Sequence, residues 1–237
     1  MKIKFIEPSY KISMPDIGLE MLKHIELAGR TCYKSEDKIT KNTTEAFIRM
    51  IIKRGHESVL EHASFSVRFV CDRGISHELV RHRLASFSQE STRYVGYKEA
   101  IEFVIPSWMN IEPFEWEGYS MRMNNSDGFS GFVGSWQHPN VRYNWGQDSP
   151  EFLWVGSMGD VAKDYELMLR VGQRPEQARS VLPNSLKTEI VVTANLREWR
   201  HILKLRCSDA AHPDMKAIMR PLLAELKLLI PVVFEDL

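Results

Sequence analysis

Two periods of hydrophobicity run through the chain, and their alternation predicts an α+β fold. Period two appears first at residues 2–6, a weak alternation that reads as an edge strand. It is clearest where Phe65, Val67, Phe69 and Cys71 interleave with Ser64, Ser66 and Arg68, the pattern of a half-buried strand. Residues 103–105 and the series Ile190, Val192, Ala194 add two more short strands. Helical spacing places Met21, Leu22, Ile25 and Ala28 on one face, with Asp16 as cap and Gly29 as stop. Asn42 and Glu45 have capping-box spacing ahead of Phe47, Ile48, Ile51 and Ile52, and Gly55 closes that helix. Asp72-Arg73-Gly74 predicts a turn, and Ser76 a cap for a short helix through Leu84. Further on, residues 160–171 form a helix stopped by Gly172, and Pro175 opens a short one. Asn195 and Glu198 make a second capping-box pair before Leu196, Trp199, Ile202 and Leu203. A last helix follows Pro213, kinked at Pro221.

Residues 113–157 break the rhythm. They hold four of the six tryptophans (Trp116, Trp136, Trp145, Trp154) and six glycines with little periodicity. Disordered linkers are poor in aromatics, so this segment is expected to be an ordered, loop-rich insert within a single domain spanning 1–237.

Composition changes the picture mainly by exclusion. At 43% hydrophobic and 26% charged residues the chain of 237 is not globally disordered. No stretch approaches the ~18 consecutive apolar residues of a membrane helix, and Lys2, Lys4 and Glu7 interrupt any signal-peptide core. Cys32, Cys71 and Cys207 are odd in number and far apart, which points to a reduced, cytoplasmic chain. The formal net charge is zero, yet between residues 99 and 162 nine acidic residues face two arginines and no lysine. That net of −7 leaves +7 on the remainder, a basic body able to hold anions.

The densest chemistry is Arg81-His82-Arg83-Leu84-Ala85-Ser86-Phe87-Ser88-Gln89-Glu90-Ser91-Thr92-Arg93-Tyr94. On a helix Arg81 and Arg83 point nearly opposite ways, whereas an extended chain beyond it sends Gln89, Ser91 and Arg93 to one side. A hydroxyl and a guanidinium on one face suit a phosphate, because forked donors match its oxygens. The plainer alternative is a basic surface helix followed by a polar strand. A second cluster comprises Arg179 before a proline-closed apolar stretch, then Asn195, Arg197, His201 and Arg206, where a helix N-terminus favours anions. His56-Glu57 begins like a zinc-protease motif, but Leu60 stands where the second histidine is required, and no metal is expected. Neither a phosphate-binding glycine loop nor a nucleophile elbow occurs. A phosphorylated small-molecule site, a non-catalytic phosphate or nucleic-acid binding module, and a metal-dependent hydrolase around His56 and His62 all remain open on residues alone.

Arg81-His82-Arg83 followed after seven residues by Ser91-Thr92-Arg93 resembles the signature of the flavin-dependent thymidylate synthases. Gly55-His56-Glu57-Ser58 with Glu61-His62, Ala178 through Pro183, and Asn195 through Arg206 resemble other family blocks in the same order. The likeness covers most of the chain outside the insert. It implies methylation of dUMP to dTMP, with methylenetetrahydrofolate as carbon donor and FAD carrying a hydride from NADPH. It also implies a mixed or antiparallel sheet flanked by helices and a homotetramer whose sites are shared between subunits, with no nucleic acid or membrane partner. Carried over by position, Ser58, Arg81, His82, Arg83, Gln89, Asn195, Arg197 and His201 would contact FAD. Glu78, Arg81, Gln89, Glu90, Ser91, Thr92, Arg93, Arg179 and Arg206 would line the dUMP site, with Arg93 and Arg179 on the phosphate. Arg206 would stabilise charge on the uracil, Ser91 would polarise substrate without a covalent bond, and His56 would lie near flavin and folate. This chain departs from the pattern at Glu78, where many members have glutamine, at Gln89, often an acid, and at Ala210, a histidine in some. Glu78 is expected to pair with Arg81 or His82, its i+3 and i+4 neighbours.

Overall fold

The structure is a computed structural model that describes residues 2–13, 17–93, 97, 99–117, 145 and 148–237. In chain order its elements are β1 (Lys2–Ile6), β2 (Ser9–Ile12), α1 (Leu19–Thr31), α2 (Thr44–Lys53), β3 (Ser64–Asp72), α3 (Arg73–Leu79), β4 (Ala85–Gln89) and β5 (Ala100–Val104). They continue with β6 (Phe114–Glu117), α4 (Pro150–Arg170), α5 (Pro175–Ala178), β7 (Lys187–Asn195), α6 (Leu196–Arg206), α7 (Pro213–Leu229) and α8 (Pro231–Phe234). The α+β class expected from the two periods is what the chain adopts. By internal contacts it divides into two compact units.

The first unit comprises residues 1–8, 70–76 and 89–189. Its sheet has the order β5-β1-β6, so β1 is the central strand rather than the expected edge. It pairs parallel to β5, with Phe5 opposite Phe103, and antiparallel to β6, with Ile3 opposite Trp116. The alternation looked weak only because Lys2 and Lys4 occupy its polar face, where both pair with Glu115. On the other face Ile3, Phe5, Phe103, Phe114 and Trp116 pack in one core with Val155, Met158, Ala162 and Tyr165 of α4. Phe5 stacks on Phe114 with centroids 4.5 Å apart. Each such side chain contributes about 1.5–3 kcal/mol on burial, so this face holds the unit together.

Helix α4 begins ten residues before the predicted position. Ser149 accepts from the Phe152 amide at 3.1 Å and Pro150 occupies the first helical position, a strong start signal inside the segment taken for a loop. The insert is therefore regular at both ends, in β6 and the first turns of α4. Residues 118–144, 146 and 147 lie outside the described residues, as does the Asp16 cap.

The second unit, residues 9–69, 77–88 and 190–237, carries most of a four-stranded sheet of order β2-β3-β7-β4. Trp199 of α6 stacks on Phe65 of β3 at 4.9 Å and its indole N–H donates to the Phe65 carbonyl at 3.1 Å, satisfying a buried polar group. Helix α1 does not stop at Gly29 but runs through it. A Cβ there would lie 2.6 Å from the Phe47 ring, so the glycine serves close helix packing instead. Helix α2 starts after Thr43 rather than Asn42, and in its first turn the Thr44 hydroxyl donates to the buried Glu26 carboxylate at 2.8 Å. Gly55, with φ of 71°, follows the end of α2 as expected. Helix α7 continues past Pro221, whose ring is on the exposed side.

Around the signature two local expectations are overturned. Asp72 accepts from the Ile75 amide at 2.8 Å and so caps α3 itself, making Asp72-Arg73-Gly74 a helix start rather than a turn. Ser76 is consequently inside α3, which ends at Leu79. Arg81, Arg83 and Leu84 form a turn, so opposed helical faces do not separate the two arginines. Strand β4 ends at Gln89, and Thr92 and Arg93 lie in a turn, so Gln89, Ser91 and Arg93 do not share one extended face.

Candidate active site

In the first unit the signature's second half folds against β7. The Glu90 amide donates to the Glu189 carbonyl at 2.8 Å, continuing the pairing one residue beyond β4. Ser91 Oγ accepts from the Arg93 amide at 3.3 Å and closes the turn that follows. Thr92 is buried, and its hydroxyl accepts from Arg179 Nη1 at 2.9 Å across 87 residues. Two guanidinium-bearing segments, one with Arg93 and one with Arg179, are thereby brought to one place. Arg93 and Arg179 are both exposed, Arg179 despite the apolar, proline-closed stretch that follows it. It follows the four-residue α5 at the unit's surface, and of that short helix only Ala178 is buried.

Gln89 turns inward. Its amide Nε2 donates to Ser76 Oγ at 2.8 Å and Thr188 Oγ1 at 3.2 Å, both fully buried. An acid at this position would meet two hydroxyls, which can donate to it. The amide instead donates to both, and the Ser76 hydroxyl in turn donates to the Arg73 carbonyl at 3.0 Å.

The second unit assembles the other candidates around α6. Asn195 caps this helix, its Oδ1 accepting from the Glu198 amide at 2.8 Å. One turn apart along the helix stand Arg197 and His201, both exposed. With Asn195 they line a cavity of about 880 Å³, together with Glu61, Arg200 and Asp236. Ser58, Arg81, His82 and Arg83 are not among its lining residues. Ser58 is exposed on the 3-10 turn Glu57–His62, and Arg81 and Arg83 are exposed beyond α3. His56 Nδ1 lies 3.4 Å from the Tyr33 hydroxyl.

Arg206, at the C-terminal end of α6, is held on three of its nitrogens. Nε donates to His82 Nε2 at 3.0 Å, Nη2 to the Glu78 carbonyl at 2.8 Å, and Nη1 to the Glu78 carboxylate. Glu78 thus pairs with a residue 128 positions away rather than with Arg81 or His82. A guanidinium offers five N–H donors, so this clamp still leaves donors for a ligand and fixes their direction.

His82 is buried, and its pKa is pushed down to about 4 by burial, then by the Arg206 charge and by His201. It is therefore neutral near pH 7. With Nε2 accepting from Arg206, its proton belongs on Nδ1, which faces Glu198 Oε1 at 3.6 Å. Burial raises the Glu198 pKa, against the opposing charges of His201 and Arg197.

His82, Glu198 and His201 bring ligand-type atoms within 4.8 Å of one another. A divalent cation fits poorly there. One His82 nitrogen is taken by Arg206, the other carries the proton, and the guanidinium would repel the ion.

A flavin cofactor fits the cavity better. Its volume is in the range of nucleotide-sized pockets, and Arg197 and the N-terminus of α6 offer positive charge to a pyrophosphate. Arg197 is held meanwhile by Glu61 at 2.6 Å, an exposed pair that solvent weakens and a phosphate can displace.

Sequence reasoning missed Arg200. This buried arginine makes a forked contact to Asp236 at 2.6 and 2.7 Å and reaches Glu57 at 3.4 Å, forming a charged wall of the cavity. Its position on the inward face of α6 was legible; its partner 36 residues on was not.

Known proteins resemble this chain along most of its length. The family described as "Thymidylate synthase complementing protein" matches residues 19–232. The flavin-dependent thymidylate synthase of Corynebacterium efficiens is 37% identical over 225 residues, covering 92% of this chain and 80% of that protein. That of Mycobacterium sp. (strain JLS) is 36% identical over 215 residues, covering 90% and 78%. Among solved structures, the UMP/dUMP methylase PolB from Streptomyces cacaoi bound with 5-Br dUMP superposes with a TM-score of 0.69 at 21% identity, over 98% of this chain and 96% of that one. At that identity the likeness speaks to the fold. With a family match running from α1 into α8 and relatives above one-third identity along nine-tenths of its length, the chain belongs to the flavin-dependent thymidylate synthase family.

Proposed function

We propose that the protein methylates dUMP to dTMP, taking the carbon from methylenetetrahydrofolate and the hydride from NADPH by way of FAD. The observation that carries this is the Thr92–Arg179 hydrogen bond, which joins the Ser91-Thr92-Arg93 turn to a second arginine. Two forked cations beside a hydroxyl match a nucleotide phosphate dianion.

Each residue has a role in this scheme. Arg93, Arg179 and Ser91 bind the phosphate, with Thr92 holding Arg179 and Glu90 anchoring the turn. Ser91 also helps to polarise the substrate. Gln89 braces the end of β4 from within, in place of a direct contact with FAD or sugar. Arg206 stabilises negative charge on the uracil, oriented by Glu78 and His82, and because its donors are already aligned it gains most where charge develops. Asn195, Arg197 and His201 hold the flavin in their cavity, with Ser58, Arg81, His82 and Arg83 as further contacts and His56 beside the flavin and folate. When bound, the flavin supplies hydride transfer, so the protein's own work is to bind, orient and polarise.

A homotetramer with sites shared between subunits completes the scheme, and residues 113–157 form an insert of the single catalytic domain. The three unpaired cysteines suit a cytoplasmic location. Among the described residues no helix is long and apolar enough to cross a membrane.

The test is formation of dTMP by purified, FAD-reconstituted protein, dependent on dUMP, NADPH and methylenetetrahydrofolate. Protein that takes up no flavin but binds oligonucleotides with a steep salt dependence would replace this proposal with a nucleic-acid binding module.

A further inference from the structure

Beside the nucleotide turn lies a charge cluster that no step above uses. Lys187, at the start of β7, has its ammonium 2.7 Å from Glu189, 3.2 Å from Glu90 and 3.6 Å from Glu102. The Lys187 side chain is only 12% exposed, and the carboxylates are each less than one-third exposed. One ammonium thus contacts three carboxylates in a half-dry place. Burial works against the ammonium, but the hydrogen bonds and charges of Glu189 and Glu90 outweigh it and hold its pKa above normal. Other charges bear on the same region. Burial first, then the charges of Glu90 and Glu102, raise the pKa of the buried Tyr97 phenol, while the Arg73 charge acts against them.

The cluster's position gives it a consequence. Glu90 immediately precedes Ser91, and both its backbone, through the Glu189 carbonyl, and its side chain, through Lys187, are tied to β7. Without the ammonium, three carboxylates would repel one another and push Glu90 off β7. The turn that carries Ser91 and Arg93 would go with it. They would also repel an incoming phosphate dianion.

We propose that Lys187 is a positioning residue for the nucleotide site, neutralising Glu90, Glu102 and Glu189 so that the Ser91-Thr92-Arg93 turn is held ready for the dUMP phosphate. This rests on the assignment of dUMP to that turn. It adds a requirement for positive charge at residue 187 that the resemblance does not supply.

The experiment uses full-length FAD-loaded protein and measures dUMP affinity by calorimetry for wild type and Lys187→Met between about pH 5.5 and pH 8, reading the ratio of dissociation constants at each pH. The ratio removes only what the phosphate's titration, with a second pKa of about 6, does to binding in both proteins alike. Near pH 8 Lys187→Met should bind dUMP about tenfold more weakly, an amount equivalent to ~1.4 kcal/mol. Towards pH 5.5 the ratio should fall, because crowded like charges take up protons more readily and the repulsion is relieved. Lys187→Arg should restore binding, and adding Glu102→Gln to Lys187→Met should restore it in part, while FAD affinity stays level throughout. A ratio that is flat with pH, or no rescue by either change, would overturn the proposal and leave Lys187 as packing only. Should Lys187→Met not fold, Glu102→Gln alone carries the test. It should tighten dUMP binding at low salt and lose that effect at high salt; unchanged or weaker binding overturns the proposal. Wild type that binds no dUMP refutes the functional assignment, a result distinct from wild-type binding with a flat ratio.

Discussion

The neutral, buried His82 makes a quantitative prediction about acid. Its pKa falls from 6.5 in an unfolded chain to about 4 in the folded protein. The folded value is depressed, so the stabilisation is complete above the unfolded pKa and is lost as pH falls through the folded one. Between about pH 7 and pH 5 the unfolded imidazole takes up a proton that the folded one refuses, which removes about 2 kcal/mol; by pH 4 and below the loss approaches about 3 kcal/mol. Proton NMR of flavin-free protein should show the His82 imidazole titrating with a midpoint near 4. Urea unfolding should show a stability difference between pH 7 and pH 5 that is smaller by about 2 kcal/mol in His82→Gln than in wild type. Comparing the two proteins removes the other acid-sensitive groups, such as Glu26, whose pKa is lowered although burial, its largest single influence, opposes this; hydrogen bonds from Thr44 and Arg30 prevail. Arg206→Met should lift the His82 midpoint towards 6.5 without reaching it, since burial is the larger cause and the guanidinium the second. A wild-type midpoint above 6, or parallel pH dependence in wild type and His82→Gln, would refute the clamp in which a neutral His82 accepts from Arg206.

Three further outcomes are expected. Arg179→Ala should weaken dUMP binding far more than FAD binding, and so should Arg93→Ala; equal losses in a titration of both ligands would remove them from the phosphate cradle. Gly29→Ala should destabilise the chain by about 1–3 kcal/mol in chemical denaturation, because a methyl group would press on Phe47 and on Val59, 3.0 Å away; an unchanged midpoint would show that α1 and α2 are not so closely packed. Cys71 is 1% exposed and its thiol is pushed up to about 12, chiefly by burial, so a thiol reagent at neutral pH should label exposed Cys32 in the native protein and Cys71 only after unfolding. Native labelling of Cys71 on the same timescale as Cys32 would contradict the burial.

How much was legible in advance differs by the range of the interaction. Asn195 was identified as a cap because the bond it makes, to the amide three residues on, lies within one helical turn. Trp199, Ile202 and Leu203 were placed inward because helical spacing alone puts them on one face, and all three are buried. Asp72 and Ser149 make bonds of the same local kind, yet were passed over because neighbouring residues suggested a turn and a loop. Gly29 was misjudged for a different reason. Glycine ends helices through its backbone freedom, but here its value is the missing side chain, and only the approach of Phe47 reveals that.

Local hydrogen bonds and the two hydrophobic periods are written into short stretches of sequence, and from them came the α+β class, β3, and the cap and inner face of α6; the signature that marks the family was legible separately, as a resemblance of one short motif. The pairings that build the site could not come from there. Glu78 with Arg206, Arg179 with Thr92, Arg200 with Asp236 and Lys187 with Glu90 and Glu102 join residues between 36 and 128 positions apart. A charge has many possible counter-charges along a chain. Which one it meets depends on which surfaces the buried faces within each unit bring together, and that is decided only when the chain packs.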